Sequence, residues 1–86
     1  MVTIKIYGTL RLKCGLGQLE TYTDSIKDAC RLLALATGTP EKEFRHCNFA
    51  VNGKKVGIGT KLHDGDELVL MAPSGGGSFR GERIGI

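Results

Sequence analysis

The chain of 86 residues carries 41% hydrophobic and 24% charged side chains, which suits one compact domain and is too apolar for a disordered chain. Its formal charge of +3 is spread over Lys5, Lys13, Lys27, Lys42, Lys54, Lys55 and Lys61 without a run. With only two tyrosines and three phenylalanines to stack on bases, no nucleic acid is expected as a partner.

No stretch approaches the ~20 apolar residues of a membrane span, and the opening "MVTIKIYG" alternates where a secretion signal would show a charged segment and an apolar block. The expected location is cytoplasmic, with no membrane partner. In the same opening, Val2, Ile4 and Ile6 share one face while Thr3, Lys5 and Tyr7 share the other. That period of two predicts a first strand over 2–7. "TLRLKCGLG" holds two glycines in a polar stretch and reads as a turn. "QLETYT" follows as a second strand over 18–23, antiparallel to the first in a hairpin.

The period then changes. In "DSIKDACRLLALATG" the apolar positions Ile26, Ala29, Cys30, Leu33 and Ala36 recur at three and four residues, with Asp24 or Ser25 to cap the start and Gly38 to stop it. This predicts a helix near 25–37, and a helix of about a dozen residues needs a sheet to bury its apolar face. "TPEKEFRH" is a polar connection with a short helical turn begun at Pro40, and Phe44 is expected to plug the core.

"CNFAVNGKKVG" predicts a strand over 47–52, a turn at Asn52-Gly53 and a return strand beginning at Val56. Asp64-Gly65 supplies another turn. The last strand, over 67–72, has Leu68 and Leu70 alternating with Val69 and Met71, and a strand apolar on both sides belongs at the centre of a sheet. Cys14, Cys30 and Cys47 are spaced for neither a metal pair nor an iron–sulfur cluster, so they read as free thiols, with Cys30 buried on the helix face. His63 and Asp64 read as solvated turn residues, and His46 lacks a second ligand at metal spacing. No metal site is expected.

A last strand placed centrally beside the first requires a crossover through the helix, which is the α+β, ubiquitin-like β-grasp arrangement of four to five mixed strands. "FAVNGKKV" followed by "TKLHDGDELVLMAPSGGG", with the opening "VTIKIYGTLR", resembles the sulfur-carrier family that includes the small subunit of molybdopterin synthase (MoaD) and the thiamine sulfur carrier (ThiS). The likeness covers residues 1–77 and is greatest to the molybdopterin branch.

The three glycines after the last strand admit three physical readings: a flexible linker, a turn needing positive φ, or a thin tail that enters a narrow active site. The resemblance implies the third. In such a carrier the carboxylate of Gly77, with Gly76 as the less favoured terminus, is adenylated by a ubiquitin-activating-type adenylyltransferase and converted to a thiocarboxylate. ATP is used by that partner, and the carrier itself is not an enzyme and binds no cofactor. Gly75, Pro73, Met71 and Val69 would meet the activating enzyme and the sulfur-accepting large subunit of a synthase.

"SFRGERIGI" departs from the pattern, because a competent family member ends at its Gly-Gly. The resemblance therefore implies a precursor cut between Gly77 and Ser78, with a JAMM-type metalloprotease as the implied processing enzyme. A β-grasp domain over 1–74 and a tail over 75–86 are expected, the tail mobile beyond Ser74 and open to proteolysis. Docking of Phe79, Ile84 and Ile86 back on the domain is the alternative. A non-catalytic interaction module and a ubiquitin-like protein modifier joined through Gly77 to target lysines remain as other functions.

Overall fold

The structure is a computed structural model that describes residues 1–72. The expectations for Pro73, for Gly75, Gly76, Gly77 and Ser78, and for the division at residue 74 lie outside the described residues. Within them, eight elements follow in chain order: β1 (Val2–Tyr7), α1 (Thr9–Cys14), β2 (Gln18–Thr21), α2 (Ile26–Thr37), α3 (Glu41–Arg45), β3 (Asn48–Val51), β4 (Lys54–Val56) and β5 (Glu67–Met71). The five strands form one sheet in the order β2-β1-β5-β3-β4.

The final strand is central, as its composition predicts. β5 runs parallel to β1, pairing Ile4 with Leu68 and Ile6 with Leu70, and antiparallel to β3, pairing Phe49 with Leu70 and Val51 with Leu68. These inward rows meet Ile26, Ala29, Cys30 and Leu33 of α2 and Phe44 of α3 in one buried cluster. Phe44 plugs that core with no solvent exposure.

The boundaries of α2 follow local chemistry. The Ser25 side chain accepts from the Asp28 backbone N–H at 3.1 Å, and Gly38 closes the helix at φ 74°, a conformation that costs a side-chain-bearing residue. The apolar stripe ends one turn sooner than expected, since Ala36 is exposed. The chain is already leaving the sheet there for α3.

Three further expectations need correction. "TLRLKC" is not a turn but the helix α1: Leu10 is buried at the sheet end, and Leu, Arg and Lys favour helix. The two glycines terminate it, Gly15 taking φ 74° as its C-cap, so β1 and β2 are antiparallel neighbours joined through a helix. β2 stops at Thr21 and leaves Tyr22 76% exposed. The return strand begins at Lys54 and ends at Val56, because Asn52 (φ 53°) and Gly53 (φ 85°) complete the reversal in two residues.

Candidate functional site

Alternation along β1 and β5 gives the sheet two unlike faces. Val2, Ile4, Ile6, Leu68 and Leu70 face the helices and are buried. The opposite row is fixed by register: Thr3 beside Glu67, Lys5 beside Val69 and Tyr7 beside Met71, continued by Ala50 beside Val69 and Asn48 beside Met71 on β3. None of the described helices contributes to this side in the buried cluster. Met71 is 40% and Tyr7 46% exposed, and Val69 is half-buried.

The outward apolar residues of β5 therefore are not core. Central position explains Leu68 and Leu70, but Val69 and Met71 lie on a face that the described residues leave open. Lys5 and Glu67 hold its polar flank as an ion pair of 3.0 Å. The bond to Glu67 raises the Lys5 pKa above its ordinary value. At the far end Tyr7 and Met71 stand side by side, and the chain continues from Met71 to Ala72, whose Cβ lies 3.7 Å from where a Cβ on Gly8 would be.

This places two of the expected binding residues, Val69 and Met71, on one accessible face immediately before the tail. Pro73, Gly75, Gly76, Gly77 and Ser78 lie outside the described residues. Tyr7, Ala50 and the Lys5–Glu67 pair belong to the same face, though the sequence reading left them out of the site. The alternation of β1 put Tyr7 and Lys5 on the polar side, but only the parallel register with β5 sets them beside Met71 and Val69.

The two turn motifs are bound to each other. Asn52 donates through Nδ2 to Asp66 Oδ1 at 2.9 Å, accepts at Oδ1 from the Glu67 backbone N–H at 2.9 Å, and its own N–H donates to the Glu67 carbonyl at 2.9 Å. Asp66 also accepts from the His63 N–H at 2.8 Å. That backbone bond, followed by the one from Asn52, lowers the Asp66 pKa below its ordinary value.

The "VNG" and "HDGDE" segments thus form a structural staple that starts β5 in register, not a reaction centre. His63 is well exposed, and the carboxylate nearest its ring is Asp66 at 3.7 Å. Asp64 pairs with the N-terminal amine.

No nucleophile stands out among the described residues. The three cysteines are free, and burial pushes the Cys30 thiol up to about 12 and the Cys47 thiol up to about 11, away from reactive thiolate. Among the described residues no group of three His, Cys, Asp or Glu side chains is placed to hold a metal, and no helix is long and apolar enough to cross a membrane. What the arrangement offers is an open sheet face of Tyr7, Val69 and Met71 beside Ala72, the last described residue.

The family model described as "ThiS family" matches residues 4–77. The small archaeal modifier protein 1 from Haloferax volcanii is 27% identical, with a TM-score of 0.66 over 88% of this chain and 98% of that one. A putative molybdopterin converting factor, subunit 1, from Pyrococcus furiosus is 21% identical, with a TM-score of 0.69 over 85% of this chain and 97% of that one. In a complex of subunits 1 and 2 of molybdopterin-converting factor from Helicobacter pylori, the matching chain is 22% identical, with a TM-score of 0.57 over 88% of this chain and 97% of that one. No curated protein matches the sequence.

Proposed function

The chain belongs to the ThiS family of ubiquitin-like β-grasp sulfur carriers, and from that premise we propose that it is a carrier made as a precursor, with Gly77 as its working terminus. The observation that carries the reading is the end of the family match at Gly77, six residues after the central strand closes at Met71 (77 − 71). Six residues at full extension span about 20 Å, which is ample for a thin tail to reach into a partner's active site.

The chemistry needs no acid, base or cofactor from the carrier. After removal of residues 78–86, the Gly77 carboxylate attacks the α-phosphorus of ATP on a ubiquitin-activating-type adenylyltransferase and releases pyrophosphate. The terminal sulfur of a donor persulfide then displaces AMP, and a second thiol attacks the donor sulfur of the resulting acyl disulfide, forming a disulfide with it and releasing the thiocarboxylate. Glycines at 75, 76 and 77 keep the tail free of Cβ atoms that would clash inside each narrow entrance.

The face of Tyr7, Val69 and Met71 docks at that entrance, with Pro73 next but one after Met71 in the sequence. The sulfur acceptor that best fits the relatives is the large subunit of a molybdopterin or tungstopterin synthase, since the Helicobacter pylori relative belongs to a complex of subunits 1 and 2 of molybdopterin-converting factor. A JAMM-type metalloprotease would cut the Gly77–Ser78 bond.

The 27% identity to a small archaeal modifier protein favours, as a second reading, conjugation of Gly77 to lysines of other proteins. Both readings pass through the same adenylate and diverge at the nucleophile. The test is incubation of the full chain and the chain ending at Gly77 with the cognate activating enzyme, ATP and a sulfur donor, followed by intact-mass measurement. Exchange of one oxygen for sulfur only on the shorter chain supports the precursor carrier. Equal thiolation of the full chain refutes it, and lysine adducts without thiocarboxylate favour the modifier.

A further inference from the structure

A groove of about 550 Å³ lies between Thr9, Leu10, Leu12 and Lys13 of α1, Glu43 and Cys47, and Ala72. None of these residues belongs to the row of Tyr7, Val69 and Met71. Leu12 is 84% exposed, more than any other large apolar side chain among the described residues. The charged pair at the rim is already satisfied, Lys13 Nζ standing 2.7 Å from Glu43 Oε1. What remains open is an apolar floor of Leu10, Leu12, Cys47 and Ala72.

Ala72 is both a wall of this groove and the last described residue, so the chain leaves the fold from the groove itself. We propose that the groove is the docking site of this chain's own C-terminal extension, with Phe79 as the side chain it takes. Phe79 is seven residues beyond Ala72 (79 − 72), or about 25 Å at full extension, which is ample for a return to the groove. The return demands a reversal, and Gly75, Gly76 and Gly77 supply backbone that adopts positive φ without penalty.

Phe79 is the one aromatic residue after Ala72 in the sequence. Aromatic side chains carry a large apolar area at the cost of two rotatable bonds, which suits a small uncharged floor. The role of this contact rests on the precursor reading above. The Gly77–Ser78 bond is just before the anchor, so docking holds it against the domain until a processing enzyme competes for the extension, and cleavage then clears the groove.

The docking is tested apart from sulfur chemistry by comparing amide spectra of the full chain, the chain ending at Gly77, and full-length Phe79→Ala and Leu12→Gln. Leu12 is exposed enough for its variant to keep the fold. The expected result is a set of shift differences between full and shortened chains at residues 9–14, 43–47 and 72. Both substitutions should move the full-length spectrum towards the shortened one and lower the heteronuclear NOE at residue 79. Identical shifts around the groove in the two chains, or differences that Phe79→Ala leaves untouched, overturn the proposal. Thiolation of the chain ending at Gly77 decides the carrier reading independently of either result.

Discussion

Replacing Asn52 by alanine should destabilise the domain by ~2–3 kcal/mol while leaving its terminal chemistry intact. The side chain makes two bonds of 2.9 Å, one to the Asp66 carboxylate and one from the Glu67 N–H. Both are at the surface, where water replaces part of what is lost, so roughly 1–2 kcal/mol for the two together is a fair discount. Asn52 also sits at φ 53°, a conformation that asparagine tolerates and alanine adopts at a cost of about 1 kcal/mol. Asn52→Gly removes the same bonds without that backbone penalty, and should lose only about 1–2 kcal/mol.

For a domain of this size, the alanine variant should melt about 10–20 °C lower and the glycine variant by roughly half as much. Thermal unfolding by circular dichroism and urea titration measure both, with thiolation of the chain ending at Gly77 assayed well below the lowered midpoint. Both variants within ~0.5 kcal/mol of the parent would refute the staple, and alanine and glycine variants of equal stability would refute the backbone cost at φ 53°. Loss of thiolation in a folded Asn52→Ala protein would show instead that this turn contacts a partner.

Met71→Glu or Val69→Lys on the open face should weaken binding to the activating enzyme about tenfold or more with a melting midpoint close to that of the parent; unfolding would show that these side chains are core. Stability should fall as pH drops below about 4.5, because Asp28, Glu43 and Asp66 have pKa values lowered in the fold from ordinary values of 3.8, 4.5 and 3.8. The unfolded chain takes up those protons first, so the stabilisation is complete above the ordinary values and is lost as pH falls through the lowered ones; melting curves unchanged to pH 2 would contradict this. Native thiol titration with an aromatic disulfide at pH 8 should show Cys14 reacting ahead of Cys30 and Cys47, whose burial suppresses thiolate, and equal rates for all three would count against the packing described.

Much of this protein was settled by local pattern. The period-two and period-3.6 runs in "VTIKIYG" and "DSIKDACRLL" define β1 and α2, and an Asn-Gly pair can reverse a chain without any distant contact, so these elements are legible residue by residue. The doubly apolar run "LVLM" points to a central β5, and β5 is central, but the described residues leave the face of Val69 and Met71 open where a strand apolar on both sides would be expected to be covered. Local reading failed at "TLRLKC", whose glycines signal an end but whose six residues are too few to display a helical period. It is packing of Leu10 on the sheet that makes this segment a helix.

The candidate site divides in the same way. Val69 and Met71 could be named from their place before the glycines, but their exposure could not, since alternation says that two faces differ and not which one a helix covers. Tyr7 joins Met71 only through a parallel pairing between residues more than sixty positions apart (71 − 7 = 64), and Asn52 finds Asp66 across a similar fold-made contact. Sequence determines what each short segment prefers because those preferences are set by neighbours along the chain. The open face, the staple and the groove beside Ala72 are decided only in the tertiary structure, because each is assembled from segments whose proximity depends on burying one shared core.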